Sequence, residues 1–235
     1  MALKTPGKLN APPPQTTFDG LPLARWCGKR MGVYYRLHSR NPASGKPWPA
    51  VFFSKSGRSR FDPIDGPGTF YVGETLAGVL MEAFDDLWGP VNAMSRSLTK
   101  TQLGEWWVTL VAIPAVNLFY AHRINLSKIG TDSQLLDGDH TLAREWALRL
   151  AGHPLKIDGI YYPSRHDSAK RNLAIFNQRK WQPAETDKTL LPPATNHRSR
   201  RIRHDAPIFY GPPVMLRKHP EMQLALSALE VAILP

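Results

Sequence analysis

The sequence lacks the residues that build several common kinds of site. Its 235 residues include one cysteine, Cys27, so it can form no internal disulfide and no cysteine-rich zinc site. No H-x-x-x-H, H-E-x-x-H or EF-hand spacing occurs, and we therefore expect no bound metal. A G-x-G-x-x-G turn between a strand and a helix is also missing, which argues against a Rossmann nucleotide site.

Long apolar segments are missing as well. No apolar run reaches the roughly eighteen residues of a membrane span, and the start, MALKTPGKLNAPPPQTT, has no apolar signal-peptide core. Hydrophobic residues nevertheless make up 42% of the chain and aromatic residues 10%, which is enough to bury a core. Together with the single cysteine, this predicts a soluble cytoplasmic protein with no membrane partner.

Positive charge is in excess, with a net charge of +11, but it is not concentrated in one place. Lys and Arg minus Asp and Glu give +4 for residues 1–30, +5 for 31–180 and +2 for 181–235. The densest run, HRSRRIRH at 197–204, has no interleaved aromatic residue and no nucleic-acid motif around it. A solvated basic segment is favoured, and a basic nucleic-acid-binding module stays open as an alternative.

Composition divides the chain into three parts. Residues 1–30 form a proline-rich arm, residues 31–180 a core domain, and residues 181–235 a C-terminal extension. In the extension, APIFY predicts a strand and EMQLALSALEVAIL an apolar helix. Because that helix is apolar around most of its surface, we expect it to pack on the domain, on a partner protein or on a second copy of the chain.

The core domain alternates strand-like and helix-like patterns. The predicted strands are Val33 to Leu37, AVFFS at 50–54, TFYVG at 69–73, two segments on either side of Pro114, DGIYYP and RNLAIFN. A helix is predicted after Thr75, and its core-facing stripe leaves Glu82 off the buried face. A second helix is predicted to begin near Asp139 or Thr141 and to end before Gly152.

A catalytic triad in SRHD, residues 164–167, is tempting because serine, histidine and aspartate lie within four positions. Residues this close in sequence rarely place the histidine between nucleophile and acid, and no G-x-S-x-G elbow occurs. An acyl-transfer serine is therefore disfavoured. Taken singly, the other polar residues of the core also have ordinary structural explanations.

Several blocks taken in order resemble one family. An early-strand arginine is followed by RFDPIDGPGTFYVGETLAGVLMEAF, then by IGTDSQLLDGDHTLAREWALRL, and then by DGIYYPSRHDSAKRNLAIF. This order resembles the RES domain, named for its Arg, Glu and Ser, over roughly Arg36 to Phe176. The resemblance implies an α+β fold, with a compact mixed sheet core and flanking helices, similar to ADP-ribosyltransferases.

The resemblance also implies an active site whose substrate is NAD⁺. It marks as catalytic Arg36, Tyr71, Glu82 and Ser164, and as substrate-binding Arg58, Arg60 and Arg165. Arginine suits a diphosphate because its planar N–H donors pair with two oxygens at once. A tyrosine ring can stack on a cationic nicotinamide, one carboxylate can stabilise an oxocarbenium-like sugar, and a serine can hold a ribose hydroxyl or the carboxylate.

The family further implies a toxin of a bacterial toxin–antitoxin pair that consumes NAD⁺ as a substrate, with no separate cofactor. Hydrolysis or phosphorolysis of NAD⁺ is the leading expectation, and mono-ADP-ribosylation of a host protein is the alternative. The expected partner is an Xre-type helix-turn-helix antitoxin, through which the chain would contact DNA only indirectly. Self-association stays open.

Overall fold

The computed structural model describes residues 9–27, 32–88, 96–164, 169–186 and 207–234, so the basic run at 197–204 lies outside the described residues. The strands are β1 Arg25–Cys27, β2 Gly32–Ser39, β3 Thr69–Gly73, β4 Ser97–Thr99, β5 Trp106–Ile113, β6 Asn117–Tyr120, β7 Gly159–Pro163, β8 Arg171–Phe176, β9 Pro183–Glu185, β10 Ile208–Tyr210, β11 Val214–Met215 and β12 Ala232–Leu234. The helices are α1 Gln15–Phe18, α2 Leu76–Trp88, α3 Lys100–Gly104, α4 Arg123–Lys128, α5 Gln134–Asp137, α6 His140–Ala151 and α7 Met222–Ala228.

Within the described residues, ten strands form one mixed sheet in the order β1-β6-β7-β8-β3-β2-β5-β10-β9, with β11 also pairing with β5. Most neighbours are antiparallel, whereas β6 with β7 and β10 with β9 are parallel. Strands β4 and β12 form a separate small parallel pair. This mixed sheet with flanking helices confirms the predicted α+β class.

The sheet is weakly joined at one place, between β2 and β3. Strand β2 pairs with β5 at eight positions, from Gly32 to Ser39, but with β3 at one position, Tyr35 opposite Gly73. Strand β3 in turn pairs along its whole length with β8. Side chains can therefore enter the split between β2 and β3, where an unbroken ladder would have closed the space.

The helices lie on one face of the sheet in two groups. Around α6, the N-terminal segment packs with α4 and α5 on β6, β7 and β8, and Phe18 meets Trp146 edge to face at 5.9 Å. Around α2, helix α7 packs with β2 and β5 in a second apolar cluster that includes Leu80 and Leu226. The opposite face of the sheet carries a third cluster with Phe70 and Trp181. The split between β2 and β3 therefore lies between the two helical groups.

Both long helices begin where their sequences predict. The Thr75 hydroxyl accepts a hydrogen bond from the Gly78 N–H at 3.1 Å, which caps the first turn of α2. Asp139 caps α6 by accepting from the N–H groups of Thr141 and Leu142, and Gly152 follows the last helical residue. The two strands on either side of Pro114 are also confirmed, as β5 and β6.

Two sequence predictions are wrong in extent. The segment 50–54 is not a strand and contributes one bridge, Ser54 to Thr69. The loop between these two residues turns at Gly57 and Gly68, which adopt left-handed φ values of 66° and 45°. The C-terminal helix ends at Ala228, since Glu230 adopts a left-handed φ of 55°. Val231 and Ile233 then favour the extended strand β12, which pairs with β4.

Among the described residues, no helix is long and apolar enough to cross a membrane.

Candidate active site

A cavity of about 340 Å³ opens at the split between β2 and β3, within the size range of ligand sites. The residues that line it come from β2, the 58–60 loop, β3, α2, α5, α6, β7 and β8: Arg36, Leu37, Arg58, Ser59, Arg60, Tyr71, Val72, Val79, Glu82, Ala83, Leu136, His140, Tyr162, Pro163 and Asn172. Five of the seven residues predicted for the site are therefore brought together, although they span forty-seven positions of sequence, from 36 to 82.

Glu82 supplies the negative charge on this lining. Helix α2 buries Leu76 and Leu80 against the sheet, and Glu82, which lies off that stripe, is exposed at the cavity. Burial is the main cause that raises the pKa of Tyr71 and of Tyr162, and the charge of the Glu82 carboxylate adds to it. Glu82 therefore shares the cavity lining with both tyrosines and is open to a ligand.

Arg36 is held at the split itself. Its Nη1 donates to the Tyr71 carbonyl at 2.9 Å, and its guanidinium lies 5.3 Å from the centre of the Phe70 ring. Its Nε is buried and has no hydrogen-bond partner among the described residues. Burial lowers the pKa of Arg36 to about 10, so the group still carries its positive charge at neutral pH.

The loop 54–62 forms one side of the cavity and is held to β3 by hydrogen bonds. The Tyr71 hydroxyl accepts from the Phe61 N–H at 2.8 Å, and the Thr69 hydroxyl donates to the Phe61 carbonyl at 2.6 Å. The carboxylate of Asp62, which is fully buried, accepts from the hydroxyls of Ser54 and Ser56 at 2.7 and 3.0 Å. These bonds fix the backbone from which Arg58 and Arg60 project.

Arg60 also joins this segment to the start of α6. Its Nη1 donates to the Gly138 carbonyl at 2.8 Å, one residue before the Asp139 cap. His140, the first residue of α6, lines the cavity beside it. The lining therefore carries three arginines and one glutamate, an excess of positive charge that suits an anionic ligand.

Two tyrosine rings form part of the floor. Burial is the main reason that the pKa values of Tyr71 and Tyr162 lie above their ordinary value of 10. Both hydroxyls are therefore neutral at physiological pH. Tyr71 keeps its ring at the cavity while its hydroxyl is engaged with the Phe61 backbone, which leaves the ring face as the part that can meet a ligand.

Ser164 and Arg165 are placed differently from the other predicted residues. Ser164 follows Pro163, which lines the cavity, but Ser164 does not line it. It is 3% exposed, its N–H donates to the Lys170 carbonyl at 2.9 Å, and its hydroxyl has no partner among the described residues. Arg165 lies outside the described residues. The roles expected for both remain predictions.

Ten lining residues were not predicted for the site, and four of these have polar side chains: Ser59, His140, Tyr162 and Asn172. Their sequence signals are weak, since Tyr162 sits in an ordinary apolar strand and His140 in the first turn of a helix. Asn172 gave the best signal, because it is the one uncharged polar residue in the apolar strand RNLAIF.

Comparisons with known proteins bear on the family and the fold of the chain. A family model described as RES domain matches residues 33–194. Among solved structures, the chain is similar to one in the MbcT–MbcA toxin–antitoxin complex of M. tuberculosis, with 11% identity and a TM-score of 0.50, over 71% of this chain and 82% of that chain. At this identity the likeness bears on fold alone. No curated protein sequence matches the chain.

Proposed function

This chain belongs to the RES domain family, and from that premise we propose that it cleaves the nicotinamide–ribose bond of NAD⁺ and acts as the toxin of a bacterial toxin–antitoxin pair. The observation that carries the proposal is the shared cavity of Arg36, Arg58, Arg60, Tyr71 and Glu82. A dinucleotide substrate needs a phosphate-binding side, an aromatic surface and a group that stabilises the reacting sugar, and these residue types supply all three.

The leaving group of this reaction needs little catalytic assistance from the protein. The C1′–N bond breaks with its electron pair moving to the pyridinium nitrogen, so nicotinamide leaves neutral and needs no general acid. Water, or phosphate, forms the new C1′–O bond; with water the products are nicotinamide, ADP-ribose and a proton. The exposed carboxylate of Glu82 would stabilise the positive charge that develops on the ribose and would orient the attacking oxygen.

The substrate diphosphate would lie on the arginine side of the cavity. Arg58 is exposed and Arg60 half-buried, and both project from the loop 54–62. Arg36, which stays charged because its pKa is still about 10, would complete the positive surface. Tyr71 would offer its ring face to the cationic nicotinamide. Ser164 would support the ribose or Glu82 through its buried hydroxyl, and Arg165 would add a substrate contact.

The direct test is nicotinamide release from NAD⁺ by the purified protein, in buffer, with phosphate added and with cell extract added. ADP-ribose as product indicates hydrolysis, ADP-ribose-1″-phosphate indicates phosphorolysis, and transfer of label from NAD⁺ to a protein indicates ADP-ribosylation. No turnover under any of the three conditions would refute the proposal.

Glu82→Gln tests the role of the carboxylate. We expect kcat to fall by a factor of about 10²–10³, the usual effect of removing one electrostatic group from a reacting centre, while the free energy of unfolding stays unchanged because the side chain is exposed. The matched control is Glu145→Gln, an exposed glutamate of α6 that does not line the cavity. Full activity in folded Glu82→Gln protein would exclude this role.

The toxin role is tested in cells. Expression of the chain should lower cytoplasmic NAD⁺ and stop growth, and Glu82→Gln should do neither. We propose that the partner that restores growth is an Xre-type helix-turn-helix antitoxin, and that the chain meets DNA only through it. Growth arrest that persists with Glu82→Gln at equal expression would separate toxicity from NAD⁺ cleavage.

A further inference from the structure

Asn172 is a buried polar residue that the reaction outlined above does not use. It lies on β8 directly opposite Tyr162 of β7 and Gly73 of β3, and its side chain is 2% exposed. Neither its Oδ1 nor its Nδ2 has a hydrogen-bond partner among the described residues, although both atoms are buried. Asn172 nevertheless lines the cavity.

Two glycines make the room that this side chain occupies. A Cβ atom on Gly73 would lie 2.5 Å from the Asn172 Oδ1, closer than a real contact allows, and a Cβ on Gly78 of α2 would lie 3.5 Å from it. The carboxamide therefore sits between β3 and the first turns of α2. Because neither glycine presents a side chain, the carboxamide fits beside them at a position that still lines the cavity.

An unpaired buried carboxamide is unfavourable for folding alone. A leucine of similar size would fill the same space without leaving a donor and an acceptor unsatisfied. The most direct explanation of such a group in a cavity wall is that a ligand completes its hydrogen bonds. A carboxamide presents an N–H donor beside a C=O acceptor, so the best complement is another group with an acceptor and a donor side by side.

The position of Asn172 relative to Glu82 indicates which end of the proposed substrate Asn172 would contact. Gly78 and Glu82 are four residues apart on α2, and a Cβ on Gly78 would lie 3.5 Å from the Asn172 Oδ1. Residues at this spacing lie one above the other on the same helix face, about 6 Å apart. The carboxamide thus lies about one helical turn from the carboxylate that would face the C1′–N bond. Nicotinamide is attached at that bond, whereas adenine is at the far end of the dinucleotide.

Resting on the function proposed above, we propose that Asn172 is the specificity residue for the leaving group, and that its carboxamide pairs with the carboxamide of nicotinamide. Gly73 and Gly78 serve this pairing by leaving the space for it. The enzyme then selects pyridinium dinucleotides that carry a primary amide over those in which the amide is replaced.

The test compares NAD⁺ with its 3-acetylpyridine analogue, in which a methyl ketone keeps the acceptor and loses the donors. The ratio of kcat/KM for the two substrates is measured in wild type and in Asn172→Leu, so that the different intrinsic reactivity of the two leaving groups cancels. We expect the preference for NAD⁺ to fall on the order of 10- to 100-fold in the variant. An unchanged preference in folded variant protein would overturn the proposal.

Two controls keep the outcome specific. The first control is nicotinamide hypoxanthine dinucleotide, which differs from NAD⁺ at the adenine end. We expect Asn172→Leu to leave the ratio of kcat/KM for this substrate and for NAD⁺ unchanged. A change confined to this substrate would overturn the assignment to nicotinamide. Asn172→Ala provides a second variant that adds no volume. Urea unfolding should show Asn172→Leu to be at least as stable as wild type, because the unpaired amide is removed.

A binding measurement separates this proposal from the one on which it rests. Free nicotinamide should raise the Tm of wild type more than 3-acetylpyridine does, and Asn172→Leu should abolish the difference, whether or not the protein turns over NAD⁺. Equal effects of the two pyridines on wild type would overturn the pairing, whereas failure of NAD⁺ cleavage alone would overturn only the reaction.

Discussion

Two sides of the cavity are built by different physics. One side, residues 54–62, which we term the arginine wall, is held by hydrogen bonds: Phe61 to the hydroxyls of Tyr71 and Thr69, and Asp62 to two serines. The other side, helix α2, which we term the glutamate wall, is held by apolar burial between the sheet and α7. Both walls present charged side chains to the same space.

This difference explains how each wall positions its charged side chains. Hydrogen bonds are directional, so a loop without regular structure can still hold Arg58 and Arg60 in a defined place. Apolar packing is not directional, but a helix turns one stripe inward and its other residues outward by geometry alone. The arginine wall should therefore respond to the loss of single polar atoms, and the glutamate wall to the loss of buried volume.

The largest expected effect comes from emptying the core beneath the glutamate wall. Phe84 is fully buried and meets the Trp106 ring edge to face at 5.1 Å. Phe84→Ala should lower the free energy of unfolding by about 3–5 kcal/mol, measured in urea, because it leaves a cavity that the helix cannot fill. The matched control, Leu224→Ala on α7, changes a side chain that is 74% exposed and should cost little. Equal losses would contradict the burial account.

The second effect is a pH dependence at His38, which joins β2 to the loop before the arginine wall. One ring nitrogen contacts the Trp48 carbonyl at 2.7 Å and the other the Thr109 hydroxyl at 2.9 Å. A carbonyl only accepts, so Nδ1 carries a proton, and in the neutral ring Nε2 accepts from the Thr109 hydroxyl. Burial, which outweighs the opposing effect of the Trp48 carbonyl, lowers the pKa of His38 from 6.5 to about 4, and Arg36 adds to the lowering.

The sign of this pH effect follows from the two pKa values. The unfolded chain takes up a proton near pH 6.5 and the folded protein does so only near 4, so stability is full above 6.5 and falls as the pH drops toward 4. The loss should reach about 3 kcal/mol. His38→Gln should reduce the change in unfolding free energy between pH 6.5 and pH 4. A wild-type profile no steeper than the variant's would contradict a neutral His38.

A smaller effect is expected from the Tyr71 hydroxyl, the atom of β3 that holds the arginine wall in place. Tyr71→Phe removes the hydroxyl that accepts from Phe61 and leaves a buried N–H unpaired, at a cost of about 1–3 kcal/mol. The KM for NAD⁺ should rise with it, since Arg58 and Arg60 lose their fixed backbone. Tyr35→Phe is the control, because its hydroxyl bonds Glu221 at an exposed position where water can replace the bond. A smaller loss for Tyr71→Phe than for Tyr35→Phe would refute the polar fastening.

The smallest effect should come from the cap of α2. Thr75→Ala removes the acceptor for the Gly78 N–H and should cost about 1 kcal/mol. Because this cap fixes the first turn of α2, which lies beside Asn172 and leads to Glu82, kcat should fall as well. Thr99→Ala, which removes the corresponding cap of α3, should cost similar stability and leave kcat unchanged. Parallel losses of kcat in both variants would show that general loosening is the cause.

Local patterns were enough to predict the two long helices and the strands at the centre of the sheet, but not the short elements. Strand β2, the break at Pro114 and both long helices follow from residue types whose preferences act over a few positions, and Thr75 and Asp139 mark the helix starts with their own side chains. The prediction was wrong at 50–54 and after Ala228, where glycine turns or one left-handed residue override an apolar pattern. Those are backbone effects that hydrophobicity does not report.

The sequence by itself determined which residues are chemically capable, because arginine, tyrosine and glutamate keep their donors, ring faces and charge in any fold. It also determined that Glu82 faces away from the core, since helical periodicity is a local property. Only the tertiary structure decided that these residues share a cavity, because the single pairing of β2 with β3 opens a split that pairing preferences do not encode. It likewise decided that Asn172 lies beside two glycines with no hydrogen-bond partner among the described residues, a consequence of packing between segments far apart in the chain.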